Sequence, residues 1–581
     1  MKSAEKSTSR RRFLAYFSSL GLSSTLLPGI LWSKVQEQQN PEVTVPMLKD
    51  ALAAAGLEFS TAEEQQMLKG VNQSLNRYEE LRRIHIDPEI PPPFYFSPVV
   101  PGTRLDMQKK QIRISAAPTV RRPANLDDVS FLPLLHLAAL IKTRQVTSTE
   151  LTTMYLERLK RYNSKLNCVV TLTEKLAMEQ AQAADKEIAE GKYRGPLHGI
   201  PWGCKDIISV PGYPTTWGSD AFRNQILETE ATVVRRLRES GAVLVAKLST
   251  GELAGGDQWF GGRTNNPWDP SEGSSGSSAG PASATAAGLV GFAIGTDTGG
   301  SILCPSSICG TTGLRPTFGR VSRSGVMTRS WTQDRLGPLC RSVEDCAVVL
   351  HTIAGPDDVD LSVIDVPFNW DASIDIRTLR VGYPEAAFHE KGRNGDLRKS
   401  DDRVLEQLKS IGVRLEPFEL PKFPVDTLSL VGIVELGASF DEFLRNGSGE
   451  HLTDKNRANG MRVSRVIPAV EYIEAQRSRA QIMRGFAQVV SKFDVIAAPF
   501  VDMRTLIGGS WDSLAGQPIY DHFRVSCDSG YPAVAVPSGF SSDGKPTSFM
   551  FVGGLFQEAK MLAVAKAYQD QAGWLGKHPN L

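Results

Sequence analysis

The chain has 581 residues, of which 41% are hydrophobic and 22% charged. This composition is typical of a soluble globular protein with several domains or one large one. Lys and Arg number 65 against 64 Asp and Glu, a net charge of +1. That balance excludes an overall field that would recruit nucleic acid or an anionic membrane, and it favours a small-molecule or peptide-like partner.

The seven cysteines are an odd number, and no two of them have C-x-x-C spacing. The pattern argues against a disulfide framework and against a zinc site. We therefore expect most of these cysteines to be buried as small hydrophobic residues.

The N-terminal residues 1–34 are similar to an export signal. Residues 9–14, Ser-Arg-Arg-Arg-Phe-Leu, form a twin-arginine pattern, and the apolar stretch 14–32 is too rich in serine for a good transmembrane helix. The pattern predicts export by the twin-arginine route to the periplasm or another extracytoplasmic space, with an ordinary basic N-terminus as the alternative. No A-x-A triplet marks a cleavage site, so an uncleaved signal that anchors the protein in a membrane stays open.

Residues 35–119 are predicted to form a mostly helical extension followed by a connector. Two or so amphipathic helices are expected within residues 41–86, and Ser60-Thr-Ala-Glu63 is a capping box that opens the second. Residues 88–101 contain six prolines and three aromatic residues, a composition that favours a stiff, extended segment. The main body is assigned to residues 120–581.

Strand-like and helical segments alternate along the main body. Thr147-Ser-Thr-Glu150 is a further capping box, and Gly241 and Gly412 each stand just after a predicted helix. Such alternation predicts an α/β fold with a sheet covered on both faces by helices. Strands are expected at residues 197–205, 242–246, 379–382, 413–415, 495–498, 533–536 and 549–552, and helices at residues 228–240, 401–411, 469–493 and 559–569.

Residues 273–310 consist almost entirely of small side chains and could be taken for a flexible linker. An alanine-rich segment at residues 282–290, preceded by Pro281, predicts a helix, and the apolar residues 291–294 lead into a second glycine-serine turn at residues 296–301. Turn, helix, strand and turn form a folded unit, and its small residues suggest a backbone that closely approaches another group.

A lysine stands at the end of an apolar strand in His198-Gly-Ile-Pro-Trp-Gly-Cys-Lys205-Asp206. Lysine is seldom fully buried, and burial would disfavour its charged form and leave a neutral amine that could act as a base. Taken alone, the position is equally that of a surface lysine in a strand–helix loop.

Several motifs in the same order resemble those of the amidase signature family of serine hydrolases, over about residues 125 to 570. The resemblance implies an α/β fold with a central mixed, twisted β-sheet covered on both faces by helices. The matching motifs include Gly199-Ile-Pro-Trp-Gly-Cys-Lys205-Asp206, Gly262-Arg-Thr-Asn-Asn-Pro-Trp-Asp269, Gly276-Ser277-Ser278, Gly295-Thr-Asp-Thr-Gly-Gly-Ser301, Cys309-Gly-Thr-Thr-Gly-Leu-Arg-Pro-Thr317 and Gly530-Tyr-Pro-Ala-Val-Ala-Val-Pro-Ser-Gly539.

The resemblance also implies the roles of individual residues. Ser301 corresponds to the nucleophile that forms the acyl-enzyme, and Ser277 to a bridging serine that follows a cis peptide bond. The two stand 24 residues apart, as the family pattern requires. Lys205 corresponds to the general base that acts through Ser277. The backbone amides of Thr298, Gly299, Gly300 and Ser301 are expected to form the oxyanion hole, whereas Asp297 is expected to order the turn.

These roles agree with elementary chemistry. A serine hydroxyl needs a neighbouring base to become a good nucleophile, and lysine is such a base near neutral pH only when burial lowers its pKa. The implied activity is hydrolysis of a linear carbon–nitrogen bond through a serine acyl-enzyme, and the same machinery would also admit esters and carbamates. A small-molecule amide substrate is expected, with no cofactor, no metal, no nucleic acid and no obligate partner, while a homodimer stays open.

Two departures from the family pattern lie close to the predicted site. Gly276-Ser277-Ser278 continues as Ala279-Gly280-Pro281 instead of Gly-Gly-Ser, a change between small residues from which little effect is expected. The position two after Ser301 is often arginine in the family and here is Leu303, which puts any anion-binding role of that arginine in doubt.

Three alternatives stand beside this interpretation. Residues 276–280 also satisfy G-x-S-x-G, the nucleophile elbow of α/β-hydrolase esterases, but a loop is expected at residues 265–272 where that motif needs a strand. The family also includes the amidase subunit of a tRNA-dependent amidotransferase, which works in the cytoplasm with a tRNA-binding partner. The third is a binding protein without activity, against which Lys205, Ser277 and Ser301 all argue. Histidines that could complete an esterase triad are His389, His451, His522 and His578.

Overall fold

The computed structural model describes residues 43–54, 56–57, 59–82, 95–391, 393–465, 467–501, 503 and 517–581. The predicted export signal at residues 1–34 lies outside these residues, as does part of the proline-rich connector. The chain divides into two compact units. The first holds the described residues before 91 with Leu430–Glu450 and Lys455–Arg477, and the second holds the described part of Pro91–Ser429 with His451–Asp454 and Ser478–Leu581. The domain bounds predicted from the sequence remain a prediction.

An 11-stranded sheet forms the centre of the second unit. The chain order of its strands differs strongly from their spatial order, β1-β3-β2-β8-β10-β9-β14-β15-β13-β11-β12. Two small hairpins, β4–β5 and β6–β7, lie outside this sheet. The strands are β1 Val169–Leu172, β2 Pro201–Lys205, β3 Val243–Leu248, β4 Gln258–Trp259, β5 Gly262–Arg263, β6 Asn265–Asn266, β7 Asp269–Gly273, β8 Phe292–Asp297, β9 Thr312–Arg315, β10 Arg335–Cys340, β11 Arg380–Pro384, β12 Arg414–Phe418, β13 Val495–Pro499, β14 Ala533–Phe540 and β15 Pro546–Gly553.

The sheet is mixed, which confirms the fold class expected from the sequence. Strand β2 runs parallel to both β3 and β8, and β11 runs parallel to β12 and β13. The remaining neighbours pair antiparallel. Every residue of β2, β3, β8, β10 and β15 is buried. Strands buried on both faces require helices on both faces, and such strands read as apolar runs without alternation.

The helices of the second unit follow the predicted alternation with shifted bounds. The capping box at Thr147 and Glu150 is confirmed, because both of its hydrogen bonds are present. The predicted helix over residues 282–290 instead spans Ala279–Ala286, so that Pro281 is its third residue. The helices are Leu134–Lys142, Ser148–Leu166, Glu174–Ala189, Thr232–Glu239, Ala279–Ala286, Leu303–Cys309, Val343–Ile353, Glu385–Phe388, Gly395–Ser410, Pro518–Asp528 and Glu558–Ala572.

The first unit is helical. It contains Val45–Ala54, Thr61–Arg82, Asp441–Arg445 and Lys455–Ser464, together with most of Ser429–Ser439 and the first part of Ala469–Val490. Its N-terminal helices pack around a small apolar cluster that includes Val43, Leu48 and Leu52. The capping box at Ser60 and Glu63 is also confirmed, since the Ser60 N–H donates to Glu63 and the Glu63 N–H to Ser60 Oγ.

Two further observations concern the described chain as a whole. All seven cysteines are buried and none forms a disulfide, in agreement with the prediction that most of them are buried and that no disulfide framework exists. Within the residues that the structure describes, no helix is both long enough and apolar enough to cross a membrane.

Candidate active site

Lys205 ends strand β2, and the parallel neighbours β3 and β8 bury it completely. Its Nζ donates a hydrogen bond of 2.7 Å to Ser277 Oγ and another of 2.8 Å to Thr296 Oγ1. The lysine therefore lies in the interior, as one of the two sequence interpretations required, and two uncharged hydroxyl groups hold its amine.

Burial lowers the pKa of Lys205 from 10.5 to about 7, because the ammonium form loses its hydration. The nearby Arg329 guanidinium lowers this pKa further, whereas the carboxylates of Asp297 and Asp334 raise it. A lysine with a pKa near 7 is neutral in much of its population at neutral pH and has a lone pair available for a proton.

Ser277 is buried at the turn that precedes the helix Ala279–Ala286, and the peptide bond from Gly276 to Ser277 is cis. The resemblance implied this cis bond. Gly276 has no room for a side chain, since an added Cβ would lie 1.9 Å from the Gly256 carbonyl oxygen. A glycine at this position thus lets two backbone segments touch beside Ser277.

Ser278 connects the two serine turns. Its Oγ donates to the Thr296 carbonyl oxygen at 3.0 Å and accepts from the Thr296 N–H at 3.1 Å. Its own N–H donates to the carbonyl oxygen of Ser301 at 3.1 Å. The residue next to Ser277 is thereby bonded to Ser301, so the turns at the two ends of the 273–310 stretch meet at one point.

Asp297 orders the turn that carries Ser301, as expected from the sequence. Its carboxylate accepts hydrogen bonds of 2.8 Å from the Gly300 N–H and 2.8 Å from the Ile302 N–H. Arg315 lies on its other side, with Nη1 at 3.8 Å from Asp297 Oδ1, and both side chains are inaccessible to solvent. Both oxygens of the Asp297 carboxylate thus bind backbone N–H groups of the turn.

The four predicted oxyanion-hole residues form one turn but differ in their contacts. The Gly300 N–H is engaged by Asp297. Thr298 is fixed by its side chain, which donates a 2.6 Å hydrogen bond to Asp334. Thr298, Gly299 and Ser301 are partly exposed, whereas Gly300 is buried. The accessible part of the turn therefore excludes Gly300.

The two departures from the family pattern have clear structural settings. Leu303 is fully buried in the apolar core beside Ile302 and Cys304, so it brings no charge to the site. Ala279, Gly280 and Pro281 are also buried and form the first turn of their helix. A Cβ on Gly280 would lie 2.4 Å from the Ser249 nitrogen, which explains why this position stays small.

The esterase alternative receives little support from the geometry. Residues 265–272, expected to be a loop, include the hairpin β6–β7, so a short strand does precede G-x-S-x-G, but it lies outside the central sheet. His522 Nδ1 lies 3.2 Å from the Pro518 carbonyl oxygen, and His578 stacks on Phe131. Across the part of the chain that the structure describes, the hydrogen bonds join no histidine to Ser277 or Ser301.

Sequence reasoning missed several residues of the site. Thr296 and Ser278 lie inside motifs that resemble those of the family, so their place within these motifs could have identified them. Lys247 forms a buried ion pair of 2.8 Å with Asp206 directly beside β2; its signal was a lysine within the apolar run of β3. Arg524, in the helix Pro518–Asp528, carried no signal at all, although its Nη1 would lie 3.6 Å from a Cβ built on Gly299.

Metal chemistry was not expected. Among the described residues there is no group of three or more His, Cys, Asp or Glu side chains that could hold a metal ion. The expectation that no cofactor is needed remains a prediction.

Comparison with known proteins gives three findings. A family model described as Amidase matches residues 150–562. A glutamyl-tRNA(Gln) amidotransferase subunit from Prochlorococcus marinus is 33% identical over 472 residues, covering 76% of this chain and 97% of the relative. The corresponding subunit from Chloroflexus aurantiacus is 34% identical and covers 78% of this chain and 100% of the relative.

Solved structures are similar as well. The peptide amidase of Stenotrophomonas maltophilia superposes with a TM-score of 0.66 at 29% identity, over 77% of this chain and 98% of that protein. A bacterial aryl acylamidase of the amidase signature enzymes superposes with a TM-score of 0.68, over 77% of this chain and 97% of that chain; at 22% identity this likeness concerns the fold alone.

Proposed function

The chain belongs to the amidase family, the amidase signature enzymes, and from this premise we propose that it hydrolyses the carbon–nitrogen bond of a linear amide through an acyl-enzyme on Ser301. The observation that carries the proposal is the 2.7 Å hydrogen bond from the buried Lys205 amine to Ser277 Oγ. A buried lysine with a pKa of about 7 beside a serine that adjoins a second serine turn is a base in position to act.

In the proposed reaction Ser301 Oγ attacks the amide carbonyl carbon. Its proton passes to Ser277 Oγ, which hands its own proton to the neutral amine of Lys205. The carbon–nitrogen bond then breaks, and the leaving amine takes a proton back through Ser277. Water, activated by the same pair, adds to the acyl carbon and releases the acid, which restores Ser301.

The developing oxyanion would be bound by the turn at residues 298–301. Because the Gly300 N–H already donates to Asp297, we assign the larger share of this role to the amides of the accessible residues Thr298, Gly299 and Ser301. Asp297 contributes by fixing the turn before the substrate arrives, which is the preorganisation that such a site needs.

The test is hydrolysis by the purified protein of simple amides, peptide amides, esters and carbamates, with Ser301→Ala as the control. We expect amide hydrolysis by the wild type and its loss in Ser301→Ala, with the fold retained as judged by circular dichroism. Undiminished amide hydrolysis by Ser301→Ala would remove the nucleophile assignment. The relative rates on esters and carbamates would define how strictly the site selects amides.

A second candidate function rests on the relatives named as glutamyl-tRNA(Gln) amidotransferase subunits, which this chain matches over nearly their whole length. In that case the chain would be one component of an amidotransferase. Activity of the purified chain alone on amides, without any added protein or tRNA, favours the independent amidase with no obligate partner. Glutamine hydrolysis that appears only with partner proteins favours the second candidate.

Export is part of the first proposal. The twin-arginine pattern at residues 9–14 supports it, and an exported enzyme would act apart from cytoplasmic tRNA. Fusing residues 1–34 to a reporter that is active only after twin-arginine export tests the idea, with Arg10, Arg11 and Arg12 all replaced by lysine as the control. A reporter that stays cytoplasmic would leave the chain an intracellular enzyme.

A further inference from the structure

A guanidinium group lies beside the accessible part of the catalytic turn. If a Cβ is built on Gly299, its nearest heavy atom outside the neighbouring residues is Arg524 Nη1, at 3.6 Å. Gly299 is partly exposed, so a substrate that reaches Ser301 also comes close to this side chain. Arg524 belongs to the helix Pro518–Asp528, more than two hundred residues after the turn.

Two other arginines next to the turn, Arg315 and Arg335, are buried and donate to protein groups. Arg315 is fully buried and donates to Ser526 Oγ at 3.2 Å. Arg335 is 3% exposed and donates to the carbonyl oxygens of Gln333 and Cys527, both at 3.1 Å. The side chain of Arg524 is 16% exposed. Of these three cations, Arg524 is the one that a substrate can reach.

Arg524 is anchored through one nitrogen of its guanidinium group. Its Nη2 forms an ion pair of 3.0 Å with Asp528 Oδ2, and the Asp528 side chain is itself inaccessible. Asp528 Oδ1 accepts a 3.1 Å hydrogen bond from Gln333, which fixes the carboxylate. Arg524 Nε is buried and has no hydrogen-bond partner among the described residues. The ion pair on Nη2 thus leaves Nη1 facing the turn, and the guanidinium keeps N–H groups that can donate to a further partner.

We propose that Arg524 determines substrate specificity by binding a carboxylate of the substrate, so that this enzyme prefers amides whose acyl part is negatively charged. The inference rests on the proposed function of the same site. A planar guanidinium with free donors favours a carboxylate, and partial burial strengthens the charged hydrogen bond. Leu303, fully buried after the nucleophile, offers no competing charge.

The experiment compares matched pairs of substrates, succinamate with butyramide and glutaramate with valeramide. We expect the wild type to have a kcat/KM at least about tenfold higher on the anionic member of a pair. Arg524→Gln should lose roughly 30-fold or more on the anionic amides and less than about threefold on the neutral ones. Arg524→Lys keeps the positive charge but loses the planar guanidinium geometry. Its kcat/KM on the anionic amides should therefore lie between that of the wild type and that of Arg524→Gln.

Two controls separate binding from folding. Arg377→Gln removes the same charge from a side chain that is 70% exposed and should leave both substrate series unchanged. Because Arg524→Gln leaves Asp528 without its ion pair, Arg524→Gln/Asp528→Asn removes both charges and should show the same selective loss. Thermal unfolding of each variant verifies that it is folded.

The outcomes distinguish the inference from the function beneath it. Equal losses on anionic and neutral amides would assign Arg524 to the oxyanion or to the fold and overturn the inference. Hydrolysis of both series by the wild type without preference would also overturn it while leaving the amidase proposal intact. A wild type that hydrolyses no amide at all would overturn the proposed function and the inference together.

Discussion

Two buried lysines on neighbouring strands differ in the partners of their amines, and this difference bears on the proposed role of Lys205 as a base. Lys205 on β2 and Lys247 on β3 are both fully buried, and Lys247 is paired in register with Cys204. Lys247 forms a 2.8 Å ion pair with Asp206 and donates to the Pro214 carbonyl oxygen. The Lys205 amine donates to two hydroxyl groups, and among the described residues no carboxylate forms an ion pair with it. Burial is therefore common to the two lysines, and they differ in the groups that hold their amines.

The pairing also explains a feature of the sequence. Asp206 directly follows Lys205, at the turn where β2 has ended, yet its carboxylate pairs with Lys247 of the neighbouring strand β3. The carboxylate that would keep Lys205 charged is thereby directed away from it. One Lys-Asp dipeptide thus takes part in two different arrangements, an amine held by hydroxyl groups at Lys205 and a buried ion pair with Lys247 at Asp206.

The largest expected effect comes from Lys205→Met. Without the base, we expect amide hydrolysis to fall by about 10²–10⁴ in kcat/KM, whereas the protein should become more stable. Burying the Lys205 ammonium lowers the free energy of unfolding of the wild type, and below pH 7 this loss has its full size. As the pH rises toward 10.5, where the lysine of the unfolded chain also loses its proton, the loss disappears. Thermal unfolding at pH 6 and pH 9 should show the larger gain at pH 6.

We expect Lys247→Met to destabilise the protein, which is the opposite of the effect expected for Lys205→Met. This variant therefore tests the role assigned to the second lysine. It leaves the fully buried Asp206 carboxylate without its counter-charge, which typically destabilises a protein by about 3–5 kcal/mol. Denaturant unfolding measures the loss, with Lys247→Met/Asp206→Asn as the control that should recover much of it. If Lys247→Met folds as stably as the wild type and has lost all activity, the two lysines do not have the distinct roles assigned here.

An intermediate effect is expected on the pH profile. Because the neutral form of Lys205 is the proposed base and its pKa is about 7, kcat/KM should rise about tenfold per pH unit below pH 7 and level off above about pH 8. Steady-state rates from pH 5 to 9 on an uncharged amide, whose own charge is constant, measure this. A profile that is flat through pH 7 would contradict a titrating lysine.

Much of this site could be predicted from the sequence, because motifs preserve chemistry in local strings. Lys205, Ser277 and Ser301 were each located within such strings, and the structure brings Lys205 into contact with Ser277 and bonds the neighbouring Ser278 to Ser301. The Lys247–Asp206 pair could not be predicted, since it depends on the register of β2 against β3. Arg524 was equally out of reach, because a single arginine in a helix gives no sign of the turn it adjoins.

The smallest expected effect sharpens the account of why the pKa of Lys205 is low. Burial is the main cause and the positive charge of Arg329 a secondary one. Arg329→Gln removes only the second, so the kinetic pKa should rise by less than about one unit, and kcat/KM at pH 7 should fall by less than about tenfold. Because the base itself is retained, the rate should recover at pH 9. A loss that persists at pH 9 would instead assign Arg329, which donates to the Ala254 carbonyl oxygen at 2.6 Å, to the folding of its loop.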